Sequence, residues 1–227
     1  MEKEKAEQIL RKQYAIANSG VVGKSWETKI KHFSELCEKS GVKTHIAFLG
    51  TSILAKSVSK EVDLYAIKPK LSKKNANAYS ARSLCHGVLV PISAELGIDL
   101  GVSGREPLNN QPYFRMNTLG DDTPIHKKGK QAFDFMLDLV KEISSLKSTE
   151  VAQKVLAAFI FVRLKYQKNY STTETSISVT PDVLCKNIIE LVINDSEGGK
   201  VAQAVVAGLV DVFAGESRVD SGRINDP

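Results

Sequence analysis

The stretch STEVAQKVLAAFIFVRLKY, residues 148–166, sets the architecture. Ser148-Thr149-Glu150 supplies a cap and an acid for a first helical turn, and the centre VLAAFIFV is apolar on nearly every side. A helix without a polar face is unstable at a surface, so this one belongs in the middle of a domain with other helices packed round it.

The flanking sequence supplies those helices. Residues 125–146 carry an apolar stripe of Phe133, Met136, Leu137, Val140 and Ile143, preceded by Asp121, Asp122 and Thr123 as caps and Pro124 as a first-turn proline. Residues 2–18 read as a moderately amphipathic helix ended by Asn18-Ser19-Gly20. Ser25 is placed to cap a second helix with Trp26, Ile30, Phe33, Leu36 and Cys37 at the 3.6 period, and Gly41 stops it. THIAFLGTSILAKSV, residues 44–58, puts Ile46, Leu49, Ile53 and Leu54 on one face, with Gly50 leaving room for another backbone; its first half also fits a buried strand.

The rest of the chain follows the same logic. Residues 61–70 suit a short strand or an extended segment interrupted by Pro69. From Asn77 a helix runs through SARSLCHGVLV, with Leu84, Val88 and Leu89 inward and Arg82 outward, and Pro91 ends or bends it. Residues 169–179 are rich in Ser and Thr, a loop or edge strand; Thr180-Pro181-Asp182 opens a further helix, residues 194–199 turn, and residues 200–214 form the last helix before Gly215. The expectation is a mainly α protein, a single helical domain of about seven to nine helices over residues 1–215, with room for one or two short strands and a polar tail at 216–227.

Composition excludes several classes. Cys37, Cys85 and Cys185 lie far apart, each in an apolar helical pattern, as small buried hydrophobes rather than disulfide partners. The N-terminus lacks the apolar core of a signal peptide, and no run reaches the roughly 18 apolar residues of a membrane span, so the expectation is a cytoplasmic protein without membrane contact. The four histidines show no metal-motif spacing. A net charge of +5 favours anionic partners only weakly; where the charge sits matters more.

From Leu64 to Ala94 there is no Asp or Glu, while Lys68, Lys70, Lys73, Lys74 and Arg82 all fall inside. Five cations without counter-charges repel one another unless an anion passes nearby, which favours a phosphate-backbone surface over an ordinary solvated face. Asn75, Asn77, Tyr79 and Ser80 are neutral donors for the same phosphates. Lys127 and Lys128, in the first turn of a helix where they oppose its dipole, form a second phosphate candidate.

The loop GREPLNNQPYFR, residues 104–115, follows. Arg105 and Arg115 can fork onto guanine, and Asn109, Asn110 and Gln111 can pair bidentately with adenine. Against that stands a rigid polar turn whose amides satisfy their own backbone. Nuclease chemistry needs two carboxylates for a metal and a lysine near the attacking water; Glu61, Asp63 and Lys68 come nearest, but their spacing departs from the usual one. Cys85 and His86, adjacent on a helix, point in different directions and do not make a nucleophile–base pair.

Residues 78–115, AYSARSLCHGVLVPISAELGIDLGVSGREPLNNQPYFR, together with THIAFLGTSILAK at 44–56 and the terminal SGRINDP, resemble the N-terminal region of SacI-like type II restriction endonucleases. The resemblance implies a part of a larger enzyme that cuts double-stranded DNA with Mg2+, with the acidic-acidic-lysine motif downstream of Pro227 and residues 216–227 as the start of a linker to that nuclease domain. It implies no cofactor within this chain and allows a homodimer. Three functions stay open: a DNA-recognition domain, a complete divergent magnesium nuclease using Glu61, Asp63 and Lys68, and a helical protein-interaction module whose basic segment meets an acidic partner.

Overall fold

Two helices with almost no polar face fill the centre of the unit formed by residues 1–168, and amphipathic helices of that unit wrap them. The computed structural model describes residues 3–69, 75–102, 104–166, 180–194 and 199–215. In chain order the helices are α1 (Lys3–Asn18), α2 (Lys24–Ser40), α3 (Thr44–Val58), α4 (Ala81–Leu84), a π-turn (Cys85–Leu89), α5 (Val90–Glu95), a 3-10 turn (Pro107–Asn109), α6 (Lys127–Ser144), α7 (Thr149–Lys165), α8 (Pro181–Asn194) and α9 (Lys200–Ala214). The fold is mainly α, as the periodicity indicates; among the described residues the extended segments meet in two isolated bridges, Asp63 with Ala78 and Ala66 with Thr118. The same residues contain no helix long and apolar enough to cross a membrane. Two compact units divide the chain, residues 1–168 and 169–227.

In the first unit α7 is capped by the Ser148 hydroxyl, which accepts from the Val151 amide, and it packs on α1, α2 and α3. Phe33, Phe48, Phe133 and Phe159, from α2, α3, α6 and α7, are wholly buried. The second central helix, α3, is buried from His45 to Val58 on every side, where sequence periodicity indicates a single apolar face. Its hydroxyls explain the difference: Thr51 donates to the Ala47 carbonyl at 2.7 Å, Ser52 to Phe48 at 3.0 Å and Ser57 to Ile53 at 2.8 Å. A hydroxyl satisfied by its own helix needs no water, so its position says nothing about which face is exposed. Lys56 is buried as well, its ammonium donating to the carbonyls of Lys60 at 2.7 Å and Ser144 at 2.9 Å.

Several local expectations are corrected. Gly50 makes room for a ring rather than a backbone, since a β-carbon there would stand 2.7 Å from the Phe159 ring. The cap of α2 is Gly23 and not Ser25, which lies inside the first turn. Thr123 does not cap α6, because its hydroxyl accepts from the Gly120 amide at 2.9 Å and closes the turn 120–123; His126 takes the cap. Pro91 does not end its helix, which runs on to Glu95. The Val90 amide reaches back to the Cys85 carbonyl, and this wider turn accommodates a residue that lacks an N–H and whose ring crowds the preceding turn.

The second unit is an α8–α9 pair, opened at Pro181 and closed at Gly215, both as read from the sequence. Cys37 and Cys85 are buried, whereas Cys185 on α8 is exposed, contrary to expectation. The readings for residues 169–179 and 216–227 and for most of the turn at 194–199 lie outside the described residues.

Candidate functional site

The residues singled out in the sequence are gathered by a short extended segment, 63–67. On one side the Asp63 amide donates to the Asn77 carbonyl at 2.9 Å, Tyr79 donates to Ala66 at 3.0 Å and Ala81 to Ile67 at 3.2 Å. On the other, Ile67 donates to Asn117 at 3.0 Å and Leu119 to Tyr65 at 3.0 Å. The segment thus ties the entry of α4 to the exit of the 104–115 loop. These bonds also explain why α4 begins at Ala81 rather than at Asn77: the backbone of 77–80 is already engaged, and Ser80 becomes the cap, accepting from Ser83 at 3.4 Å.

Arg82, in the first turn of α4, reaches the loop directly. Its guanidinium donates to Asn109 Oδ1 at 3.1 Å and lies 5.3 Å from the centroid of the Phe114 ring. Lys68 comes from the other side, its ammonium donating to the Phe114 carbonyl at 2.5 Å. Burial, and then the charge of Arg82, push the Lys68 ammonium below its ordinary range. Two cations from the acid-free segment are therefore held beside one loop, close enough for one to lower the proton affinity of the other.

The loop itself is nailed down from beneath. Pro107, Leu108, Pro112 and Tyr113 are buried. Tyr113 stacks on Phe48 with centroids 4.5 Å apart and meets His45 Nδ1 at 2.5 Å. Its hydroxyl is 3.3 Å from Met136 Sδ. His45 Nε2 is buried without a partner, so the cheaper arrangement has Nδ1–H donating to the tyrosine, the tyrosine O–H pointing at the sulfur, and a lone pair rather than a proton stranded at Nε2. Burial holds His45 down to about 4. His86 anchors the loop a second time, its Nε2 accepting from the Leu108 amide at 3.2 Å, which puts the imidazole proton on Nδ1, 4.0 Å from Glu106. Burial lowers its pKa, opposed by Glu106 and reinforced by Arg82. Cys85 beside it is a buried thiol pushed up to about 12, and points into the core.

What the loop presents outward is mixed. Arg105, Gln111, Phe114 and Arg115 are exposed. Asn110 donates to the Pro107 carbonyl at 3.2 Å, and Asn109 bonds both Arg82 and Glu106, so part of the amide chemistry is spent within the turn. Phe114 went unmarked in the sequence beyond its membership of an aromatic pair; adjacent residues in a tight turn face different ways, which sends Tyr113 into the core and Phe114 to the surface.

Lys70, Lys73 and Lys74 lie outside the described residues. Lys127 and Lys128 are exposed at the start of α6, where Lys128 Nζ stands 3.6 Å from the position of a β-carbon on Gly41, at the corner between α2 and α3. Tyr79 is not available to phosphate, being buried with its hydroxyl 3.4 Å from Ser52.

Glu61, Asp63 and Lys68 do not converge as metal ligands with a catalytic lysine. Asp63 accepts from the Tyr65 amide at 2.9 Å and from Asn75 at 2.7 Å, one bond on each oxygen, while Glu61 is exposed beside Lys60 and Lys68 turns to the loop. Among the described residues no group of three or more His, Cys, Asp or Glu could hold a metal ion.

The family model described as the SacI restriction endonuclease N-terminal domain matches residues 5–167. Over 229 aligned residues the chain is 33% identical to "Type II restriction enzyme SacI" of Streptomyces achromogenes; the match takes in 100% of this chain and 62% of that relative's length.

Proposed function

Because this chain belongs to the SacI restriction endonuclease N-terminal domain family, we propose that it is the DNA-recognition part of a type II restriction endonuclease. Lys68 and Arg82, with Lys70, Lys73 and Lys74 of the same acid-free segment, grip the phosphates of double-stranded DNA, and the loop bearing Arg105, Asn109, Asn110, Gln111 and Arg115 faces the bases. The observation that carries this reading is the convergence of Lys68 and Arg82 on Phe114: mutually repelling cations are held at the exposed face of a loop anchored from below, and a polyanion relieves that repulsion. Lys127 and Lys128 extend the phosphate contacts from α6.

The magnesium-dependent cut falls to the portion of the relative's length that this chain does not span, and two copies of the chain act together on the duplex. The engaged state of Asp63 supports placing the cut elsewhere. Plasmid incubated with Mg2+ and this chain stays intact under this reading; nicking that disappears in Asp63→Ala moves the cut to Glu61, Asp63 and Lys68. Sedimentation with and without duplex reports the copy number.

Anisotropy titration with random-sequence duplex tests the central point. Affinity falls steeply between about 50 and 200 mM salt, and charge reversal at Lys73 and Lys74 weakens it. Affinity that is level in salt and indifferent to both reversals ends the DNA reading.

A further inference from the structure

We propose that Phe114 is a stacking platform for a base at an opened step of the duplex, with Arg82 as the cation that backs the ring; this rests on the DNA-recognition reading above. Phe114 is 50% exposed, beside a tyrosine that is fully buried. The apolar demand of the turn is met by Tyr113, so packing alone does not account for a second aromatic ring facing water.

The ring is also held in place from its own backbone. The Phe114 amide donates to the Asn110 carbonyl at 3.1 Å, and its carbonyl receives the Lys68 ammonium. With Arg82 5.3 Å from the ring centroid, the side chain is presented with its geometry set in advance. An aromatic ring paired with a guanidinium is a chemistry that stacks nucleobases irrespective of their hydrogen-bonding edges, and an apolar side chain at a basic surface can open a base step to do so. A partner helix is a poorer occupant, because Lys68 and Arg82, both held at Phe114, and the adjacent exposed Arg115 would confront its apolar face with charge.

The chain has one tryptophan, Trp26, which makes the idea measurable. In the Trp26→Phe/Phe114→Trp double variant, tryptophan emission is quenched on titration with a short random-sequence duplex pool and with duplexes the native chain enriches from it. Phe114→Tyr binds those duplexes like the native chain, while Phe114→Leu, apolar but unable to stack, binds them roughly 5- to 100-fold more weakly. Circular dichroism and thermal melting confirm that each variant is folded, as expected for an exposed position. Unchanged emission, or a Phe114→Leu variant that binds as tightly as the native chain, overturns the stacking role while leaving salt-sensitive duplex binding intact. Failure of the native chain to bind duplex at low salt overturns the recognition reading, and the stacking role with it.

Discussion

Arg163, wholly buried near the end of α7, donates from Nε to the Asp99 carbonyl at 2.5 Å and brings Nη2 to 3.4 Å from the Asp99 carboxylate. Neither terminal nitrogen of the guanidinium makes a hydrogen bond, and its charge is offset by Asp99 and by the Tyr166 ring 4.4 Å away. Burial pulls the Arg163 pKa down and Asp99 opposes that pull. Asp99 opens the segment that leads to the 104–115 loop, so the pair fixes where that segment leaves the core.

Removing the two partners therefore has unequal effects. Asp99→Ala removes the nearest counter-charge, a carboxylate about one-third exposed, and loses the bond to the Gly101 amide, costing about 1–3 kcal/mol in chemical denaturation. Arg163→Met removes the buried charge together with its unmet donors and costs markedly less.

The burial of His45 makes stability depend on pH. Burial holds the folded histidine down to about 4, against about 6.5 in the unfolded chain. Below 6.5 the unfolded state binds the proton first, so stability is complete above that value, declines as pH falls from 6.5 to 4, and loses no more on this account below it. The full decline is about 3 kcal/mol. Urea titrations across that window show the slope, and His45→Gln flattens it.

Gly50 fixes how closely α3 approaches α7. A β-carbon there meets Phe159 at 2.7 and 2.8 Å and Leu89 at 3.2 Å, and the phenyl ring is fully buried with nowhere to retreat. Gly50→Ala destabilises by about 1–3 kcal/mol despite the better helix propensity of alanine, read as a lower midpoint in urea.

At the basic surface, Lys68→Gln and Arg82→Gln each reduce the slope of log affinity against log salt by about 1, across all duplex sequences. A change confined to particular sequences would move these residues from phosphate to base contact. Arg82→Gln also releases Asn109 and the Phe114 ring, so its loss of affinity exceeds that of Lys68→Gln.

Much of the helical frame was legible because periodicity and caps agree: Ser148 caps α7, Gly41 ends α2, and the stripe from Phe133 to Ile143 is buried as read. The complete burial of α3 was hidden by Thr51, Ser52 and Ser57, whose polarity is absorbed within their own helix. At the site, the acid-free stretch and the loop each stood out in the sequence, but their meeting did not. It depends on backbone bonds between residues 65–67, 79–81 and 117–119, and such bonds leave no mark in residue type. The anchoring role of His86 and the surface position of Phe114 were hidden for the same reason, since each depends on neighbours distant in sequence.

The π-turn at Cys85–Leu89 has a consequence for azimuth. One extra residue in a helix rotates everything before it by about 100° relative to everything after it. Val88, Leu89 and Ile92 hold the later part against the core, so the extra residue sets the compass bearing of the earlier part, on which Arg82 rides. Deleting one residue between 85 and 89 would turn Arg82 by about 100° away from Asn109 and Phe114. The widened turn is thus a phase adjustment that aims a charge, made several residues away from the charge it aims.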